Sequence, residues 1–377
     1  MGLINVHSYL AGQWLAADDG ARPIASAVTG EPLAIAGQAA LDTQAMIDFA
    51  KQKGGPALRA MSFHDRARML KALALELGKF KDELYALSYT TGATRSDSMI
   101  DIDGGIGTML VYASKGRREM PDGHIYVDGD LEMLSRGGTF VGQHVATSLQ
   151  GVAVHINAFN FPVWGMLEKL APTLLAGMPA IVKPATATCH VTEQCVRRMI
   201  ESGILPEGAV QLVSGGLGDL LDRLDYQDVV GFTGSAKTAL MLRSNPILLE
   251  KSVRFVAEQD SLNASVLGPD VTEASPEFDI LVKEVVREMT AKAGQKCTAI
   301  RRIIVPESLL GPVGDAIAAK LGSIRIGDPA LETTRMGALA SAAQKADVLD
   351  KARQIASECR QIAGDQDTFE VHGADNA

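Results

Sequence analysis

The strongest constraint on the fold is an alternation of short apolar runs with helical stretches that begins at Gly151. The predicted elements in chain order are strand Val152–Ile156, helix Trp164–Leu175, strand Ala180–Lys183, helix Thr188–Ser202, and strands Val210–Val213 and Val229–Phe232. This alternation is typical of a parallel sheet with crossover helices, because parallel neighbours need a long connection between them. The sequence therefore predicts an α/β fold built on a parallel sheet.

Different patterns precede this unit. Apolar residues at helical spacing between Phe63 and Tyr89 predict one long amphipathic helix. Residues 124–150 are richer in β-formers and in turn residues such as Asp128 and Gly129, which predicts short antiparallel strands that stand apart from the sheet. We interpret this segment as an arm that extends the fold or serves oligomerisation.

A second unit is predicted to begin near Glu258. Ser275 and Pro276 are residue types of a helix N-cap and first turn, for a helix over Phe278–Ala293. The elements predicted after it are a strand at Ile303–Val305, a helix over Ser308–Leu321 and a last helix around Ala342–Cys359. The predicted domains are therefore residues 1–257, with the arm at about 124–150, and residues 258–377.

Composition and charge limit the class of protein. The 377 residues, 46% hydrophobic and 21% charged, match a globular enzyme with room for two domains. A formal net charge of −9 without a basic block makes nucleic acid an unexpected partner. Apolar runs stay below membrane length, and the opening residues lack the pattern of a signal peptide. We expect a cytoplasmic protein that acts on a small molecule.

The cysteines are too few and too unevenly spaced for a disulfide framework or a metal site, so we expect free thiols and no bound metal. Cys297 differs from the others because it follows a predicted helix end and lies on a loop, where reactive groups concentrate. Neighbouring Lys296 can help to favour its thiolate form, and backbone donors and a bound cofactor can contribute as much. A buried, inert thiol is the alternative for any single cysteine.

Two polar residues at predicted strand ends are candidates for catalysis. Glu258 closes the run Ser252–Ala257, which is predicted to be a strand, and a carboxylate at a strand end facing a cleft can act as a general base. Asn160 follows the first strand of the α/β unit, where its amide can donate to a developing oxyanion. Taken singly, a solvated turn glutamate and a turn asparagine remain alternatives.

Other residues at strand ends are candidates for binding a dinucleotide. Lys183 can pair with a phosphate or a ribose at the carboxyl edge of the sheet, although it can equally be a surface lysine. The segment Phe232–Ser235 ends a strand and opens a helix, which predicts N–H groups of Gly234 and Ser235 near a phosphate. A plain Gly-Ser helix start is the alternative.

A further glycine-rich segment, Ser214–Gly218, is predicted to be a strand-to-helix turn. Its glycines Gly215 and Gly216 are weak candidates, because the segment lacks the G-x-G-x-x-G fingerprint of the usual dinucleotide fold.

In order and context these segments resemble the aldehyde dehydrogenase superfamily across almost the whole chain. The matching motifs are the oxyanion loop Asn160–Pro162, the strand-end Lys183, the Phe-Thr-Gly-Ser turn Phe232–Ser235, the general-base Glu258 and the Gly-Gln-x-Cys segment Gly294–Cys297. The resemblance implies a Rossmann-like cofactor domain with a β oligomerisation arm, an α/β catalytic domain and a homo-oligomer.

The resemblance also implies the roles of the site residues. Cys297 would attack the aldehyde, Asn160 would hold the oxyanion and Glu258 would activate water, which gives net oxidation to the acid. The implied cofactor-binding residues are Ile156, Lys183, Thr186, Gly215, Gly216, Phe232, Gly234 and Ser235.

The residue three positions after Lys183 bears on the choice of cofactor. Family members that favour NAD commonly carry an acidic residue there, which repels a ribose phosphate, whereas this chain has Thr186. A neutral hydroxyl near a cation leaves room and charge for that phosphate. We therefore predict NADP over NAD.

Departures from the family pattern indicate a branch. Gln259–Ser261 replaces the usual Leu-Gly-Gly after Glu258, and with its context resembles the dehydrogenase half of the bifunctional phenylacetic acid degradation proteins. Those proteins act on 3-oxo-5,6-dehydrosuberyl-CoA semialdehyde. The nearest rival is the branch acting on 3,4-dehydroadipyl-CoA semialdehyde in benzoate degradation. Both imply a CoA-linked aldehyde as the substrate.

Two other interpretations remain open. In an acylating dehydrogenase free CoA resolves the thioester, but such enzymes usually lack the glutamate matched by Glu258. The chain also stops at Ala377, before the family's Glu-x-Phe-Gly-Pro segment, so the catalytic domain is expected to be incomplete. A non-catalytic binding or structural fragment of this fold is therefore the second alternative.

Overall fold

The computed structural model describes residues 2–18, 20–37, 42–365 and 369–374. Its strands are β1 (Ile4–Asn5), β2 (Ser8–Leu10), β3 (Gln13–Leu15), β4 (Arg22–Ala25), β5 (Pro32–Ala36), β6 (Tyr126–Met133), β7 (Val141–Ala146), β8 (Ala153–Ile156), β9 (Ala180–Lys183), β10 (Val210–Leu212), β11 (Val229–Gly234), β12 (Arg254–Gln259), β13 (Asn263–Val266) and β14 (Ile300–Ile304).

The α-helices are α1 (Thr43–Phe49), α2 (Gly55–Ala60), α3 (Phe63–Leu77), α4 (Lys81–Tyr89), α5 (Arg95–Ser98), α6 (Gly104–Arg118), α7 (Trp164–Leu175), α8 (Cys189–Glu201), α9 (Ala236–Arg243), α10 (Pro246–Glu250), α11 (Pro276–Thr290), α12 (Leu310–Gly322) and α13 (Ala342–Ala356). None of these described helices has the length and hydropathy needed to cross a membrane.

A seven-stranded sheet in the order β12-β11-β8-β9-β10-β2-β3 forms the centre of the fold. Its first five strands are parallel, and β2 and β3 extend one edge in antiparallel fashion. All four residues of β8 are buried, as expected for a strand covered on both faces. The predicted α/β fold with a parallel sheet is therefore confirmed.

Helices pack on both faces of this sheet. On one face α3, α6, α7 and α8 enclose a core that includes Leu70, Leu73 and Leu167. The opposite face carries a second core around Val154 and Val230. The predicted single helix from Phe63 to Tyr89 is instead two helices, because a 3-10 turn at residues 78–80 interrupts it.

The predicted arm is present as the two-stranded antiparallel sheet β6–β7. Almost all of its residues are exposed, including large apolar side chains such as Val127, Leu131 and Val145. The strands are confirmed, and their role in oligomerisation stays a prediction.

The second unit contains the parallel pair β13–β14, covered by α11 and α12 around a third core. Helix α11 begins at Pro276 with Ser275 at its N-cap, as predicted, but ends at Thr290 and not at Ala293. It ends early because Lys292 and Ala293 adopt positive φ angles of 53° and 52°. Strand β12 lies in the central sheet and continues to Gln259; the domain boundary at 257/258 stays a prediction.

Candidate active site

A cavity of about 540 Å³ opens between the start of α7, the carboxyl ends of β11 and β12, and the loop after α11. Its lining includes the three predicted catalytic residues, Cys297, Glu258 and Asn160. They come from chain segments more than a hundred residues apart at the extremes, so the fold brings them together. The walls also include the apolar side chains of Ile100, Phe161 and Trp164.

Cys297 is an exposed free thiol on the loop. Partial burial raises the pKa of this thiol, and the negative charge of Glu258 raises it further, while backbone N–H groups lower it. Lys296 was predicted to favour the thiolate, and this was wrong, because its Nζ pairs with Glu288 at 2.8 and 2.9 Å. The thiol therefore needs another group that favours its thiolate form, such as a base that accepts its proton.

Hydrogen bonds fix the loop that carries the thiol. The Asn263 Nδ2 donates to the carbonyl oxygens of Cys297 at 2.6 Å and Ala299 at 3.1 Å. Gln295 accepts from the Ala340 N–H at 3.0 Å and donates from Nε2 to the Lys292 carbonyl oxygen at 2.8 Å. Sequence reasoning missed Asn263, although it opens the strand that follows Glu258 by only a short loop.

Asn160 lies on the loop between β8 and α7. Its Oδ1 accepts from the Phe161 N–H at 3.1 Å, which leaves Nδ2 as the end that can donate. The loop is tied to the next crossover, because Thr188 donates to the Phe159 carbonyl oxygen at 3.1 Å and Thr192 to that of Pro162 at 3.0 Å. The amide is thus presented as the donor that an oxyanion requires.

Glu258 was predicted to follow a strand, but β12 runs through it to Gln259. Its register partner in β11 is Thr233, whose Oγ1 is buried and without a partner in the described structure. Paired residues of neighbouring strands point to the same face, so the carboxylate and this hydroxyl face the cavity together.

Strand register aligns three of the predicted cofactor residues. Ile156 pairs with Lys183 on one side and with Phe232 on the other, at the carboxyl edge of the sheet. This is the edge at which α/β sheets bind ligands. Burial lowers the pKa of Lys183, and no carboxylate in the described chain lies within ion-pair distance of it. Thr186 lies three residues on, exposed, in a 3-10 turn.

The turn at Gly234 and Ser235 leads into α9, as predicted. Ser235 is the N-cap, and its Oγ accepts from the Thr238 N–H at 3.2 Å. The Asp260 Oδ1 accepts from the Ala236 N–H at 3.0 Å. A carboxylate therefore already occupies one of the N–H groups at this helix start.

The glycine turn after β10 departs from the prediction. The strand ends at Leu212, and the next element is only a 3-10 turn over residues 220–223, so no α-helix begins there. Gly215 is buried and Gly216 exposed at the carboxyl end of β10. The α-helix predicted to follow these two glycines is absent. Among the described residues, no group of three or more His, Cys, Asp or Glu side chains is placed to hold a metal ion.

Comparison with known proteins decides the family. The model of the aldehyde dehydrogenase family matches residues 14–376. The chain belongs to the aldehyde dehydrogenase family. This confirms the resemblance seen in the motifs, and this aldehyde dehydrogenase is an oxidoreductase that acts on aldehydes.

Individual relatives agree with this assignment. The 3,4-dehydroadipyl-CoA semialdehyde dehydrogenase of Aromatoleum evansii is 42% identical over 371 residues, 98% of this chain and 72% of that protein. The peroxisomal aminoaldehyde dehydrogenase 1 of Pisum sativum is 30% identical over 321 residues, 82% of this chain and 60% of that protein. This aldehyde dehydrogenase chain therefore spans only part of the length of these relatives.

Solved structures agree with the fold. The structure of 3,6-anhydro-L-galactose dehydrogenase in complex with NAP matches with a TM-score of 0.81 at 22% identity, covering 94% of this chain and 71% of that chain. The predicted aldehyde dehydrogenase-like fold is thereby confirmed.

Proposed function

We propose that this protein oxidises a CoA-linked semialdehyde to the corresponding acid with NADP, through a covalent intermediate on Cys297. The observation that carries the proposal is the single cavity lined by Cys297, Glu258 and Asn160. For the substrate we propose 3,4-dehydroadipyl-CoA semialdehyde, since a dehydrogenase of that name is 42% identical over 98% of the chain. The comparison favours this alternative over the phenylacetate substrate that the sequence analysis put first.

The first step uses the thiol and the amide. The Cys297 Sγ attacks the aldehyde carbon as a thiolate, and the carbonyl π-electrons move to oxygen to give a thiohemiacetal oxyanion. The Asn160 Nδ2 and the Cys297 backbone N–H stabilise this charge. When bound, the nicotinamide supplies the acceptor for the hydride that leaves the tetrahedral carbon.

The second step uses the carboxylate. Loss of hydride leaves a thioester on Cys297, and Glu258 takes a proton from a water molecule that attacks its carbonyl carbon. The thiolate leaves, and the acid is released. Because Glu258 lines the same cavity as the thiol, water supplies the resolving nucleophile, which argues against an acylating dehydrogenase that uses free CoA.

Buried polar groups at the carboxyl edge of the sheet fit a dinucleotide. The side-chain amide of Asn157 and the Oγ1 of Thr233 are buried without hydrogen-bond partners in the described chain. Such groups are costly unless a ligand satisfies them. The residues we propose to hold the cofactor are Ile156, Lys183, Thr186, Gly215, Gly216, Phe232, Gly234 and Ser235.

The preference for NADP rests on Lys183 and Thr186. The half-buried ammonium of Lys183 has no carboxylate partner among the described residues, and the nearby exposed Thr186 carries no charge that would repel a ribose phosphate. Thr186→Glu is expected to lower kcat/KM with NADP by more than about tenfold and to spare NAD. Thr333→Glu, at an exposed position of the second unit, is the control for an added carboxylate.

The exposed apolar residues of the arm and the unpaired cysteines support proposals for the assembly and the location of the protein. We propose that β6–β7 pairs with a second copy, because these strands and the residues beside them expose the large apolar side chains of Ile125, Val127, Leu131 and Phe140. All four cysteines are unpaired, which suits a reducing cytoplasm.

The experiment follows reduced cofactor after mixing the full-length protein with the CoA-linked semialdehyde and NADP. Glu258→Gln is expected to give a burst of about one equivalent without further turnover, because the thioester forms and is not hydrolysed. Cys297→Ala is expected to give neither burst nor turnover. Cys359→Ala removes the other exposed thiol and serves as the control. Steady turnover by Cys297→Ala would refute the proposal, and absence of turnover by the parent would leave only a binding role.

A further inference from the structure

The loop between α11 and Cys297 contains a buried cation in a strained backbone. Lys292 is 3% exposed, and three successive residues, Lys292, Ala293 and Gly294, have positive φ angles of 53°, 52° and 75°. Only glycine adopts this conformation without cost. The surrounding structure must therefore stabilise the loop at Lys292.

Asp97 supplies part of that stabilisation. Its Oδ1 accepts from the Lys292 N–H at 2.7 Å, and its Oδ2 accepts from the N–H and hydroxyl of Thr94 at 2.9 and 2.7 Å. The Lys292 Nζ donates to the Thr91 Oγ1 at 3.5 Å. The start of α5 thus holds the loop that leads to the nucleophile.

A second buried carboxylate lies four residues further along the same helical stretch. Asp101, in the π-helical turn Met99–Asp103, is 0% exposed and accepts from the N–H groups of Val163 at 3.1 Å and Trp164 at 2.7 Å. These N–H groups belong to the N-cap and the first residue of α7, directly after the loop that carries Asn160. Asp101 thus fixes the other side of the cavity.

The charges of the two sides are coupled. Burial raises the pKa of Asp101 to about 7, and the positive charge of Lys292 lowers it. Burial also lowers the pKa of Lys292, and the charges of Asp101 and Asp97 oppose that shift. Removing the ammonium would leave two buried carboxylates, Asp97 (3% exposed) and Asp101, without a cation.

We propose that Lys292, Asp97 and Asp101 form a charged positioning network that sets the distance between the Cys297 thiol and the Asn160 amide. These are positioning residues, because they act through the two loops and not on the substrate. The network rests on the proposed function for its kinetic consequence. Misplacing the oxyanion donor relative to the nucleophile weakens the transition state and leaves ground-state binding nearly unchanged.

The test compares the parent full-length protein with Lys292→Met, Asp101→Asn and the double variant. Methionine keeps the length and the backbone strain of lysine but removes its charge. Asparagine keeps an acceptor oxygen for Val163 and Trp164 but removes the negative charge. The readouts are kcat and KM with the CoA-linked semialdehyde, and amide hydrogen exchange of segments 157–164 and 291–298.

Lys292→Met is expected to lower kcat about 100-fold with KM within about threefold, and to speed exchange in both segments together. The double variant is expected to recover about tenfold of kcat, because it removes one of the two buried negative charges that Lys292→Met leaves without a cation. The control is Lys51→Met, which breaks the ion pair with buried Asp228 (2.8 Å) far from the cavity and leaves kcat within about twofold.

Unchanged exchange of segment 157–164 in Lys292→Met would overturn the network, and so would an equal loss of kcat in Lys51→Met. If the parent itself has no dehydrogenase activity, the proposed function fails, and hydrogen exchange alone still decides whether the two loops are coupled.

Discussion

The Nδ2 of Asn263 donates a hydrogen bond of 2.6 Å to the backbone carbonyl oxygen of Cys297. The same amide donates to the Ala299 carbonyl oxygen at 3.1 Å, so one side chain at the start of β13 holds both sides of the nucleophile loop. The backbone N–H of Cys297 is an oxyanion donor in the proposed mechanism. Asn263 therefore holds the residue that carries this N–H, although it has no chemical role itself.

Replacing Asn263 by alanine is expected to lower kcat further than a variant with the same loss of stability does. Loss of two hydrogen bonds costs about 1–2 kcal/mol, measured as the free energy of unfolding in urea, and we expect kcat to fall about tenfold because the loop loses its orientation. Asn245→Ala, which removes the cap of α10 at the Ile247 N–H, matches the stability loss without touching the cavity. Equal kcat values for the two variants would contradict this role.

Glu258→Gln is expected to lower the pKa of the Cys297 thiol. Burial and the negative charge of Glu258 both raise that pKa, and only the charge is removed by glutamine. A lower pKa means a larger thiolate fraction at any pH near neutrality, so alkylation by iodoacetamide should become faster at pH 7. Measured in a Cys359→Ser background, the midpoint of the rate against pH should move down. A midpoint that stays fixed would mean that the charge of Glu258 does not affect the pKa of the Cys297 thiol.

Asp260→Asn is expected to strengthen binding of a phosphate-bearing cofactor. The Asp260 carboxylate accepts from the Ala236 N–H at 3.0 Å, at the start of the helix proposed to meet the pyrophosphate. Asparagine keeps the acceptor and removes a charge that repels phosphate, which should lower the Kd for NADP by about threefold to tenfold. Titration calorimetry at two salt concentrations measures it. The control is Asp270→Asn. A larger Kd for NADP in Asp260→Asn would show that the carboxylate of Asp260 is needed for cofactor binding.

Residue patterns predicted well the parts of the fold that depend on local periodicity. Helix Trp164–Leu175 and strand Ala180–Lys183 have the predicted bounds, because the helix buries an apolar stripe at helical spacing and the strand buries its three apolar residues. The helix after Ser275 was predicted too long, because lysine and alanine are residue types that do not predict the left-handed backbone found at Lys292 and Ala293. Part of the stabilisation of that conformation comes from Asp97, almost two hundred residues away in the chain, which accepts a hydrogen bond from the Lys292 N–H.

The same distinction holds for the candidate site. Cys297, Glu258 and Asn160 could be found because each lies in a short motif, and the fold then places them around one cavity. Lys296 was wrongly expected to act on the thiol, because its partner Glu288 lies on α11 and sequence adjacency does not reveal such pairing. Asn263, Asp97 and Asp101 were missed for the same reason: their importance comes from backbone groups that only the tertiary fold brings near.

Buried His190 is expected to make the protein less stable as the pH falls below 6.5. Thr90 donates its hydroxyl to the Leu87 carbonyl oxygen at 2.6 Å, so the His190 Nε2 at 2.9 Å must donate to Thr90, which leaves the buried Nδ1 without a proton or a partner. Burial lowers the pKa of His190 to about 4. Between pH 6.5 and about 4 the unfolded chain binds the extra proton and the folded chain does not, so stability is lost in that window as pH falls.

His190→Gln should remove this contribution. The difference in free energy of unfolding between pH 7 and pH 5 should shrink by about 2 kcal/mol relative to the parent, measured by urea unfolding at both pH values. His144→Gln, a change of an exposed side chain on β7, is the matched control. The same pH difference in parent and His190→Gln would mean that the histidine is protonated in the fold.

Gly165→Leu is expected to restrict the length of the aldehyde. Gly165 lines the cavity on the first turn of α7, and a Cβ built there meets no atom within 4 Å, so a larger side chain extends into the space beside Trp164. KM for the CoA-linked semialdehyde should rise at least about tenfold, whereas KM for a two-carbon aldehyde should stay within about twofold. Gly107→Leu on α6, also open but outside the cavity lining, controls for a leucine on a helix. Because the short aldehyde needs only the region near Cys297, an equal rise of KM for both substrates would mean that the substitution distorts the site and that the long substrate does not run along α7.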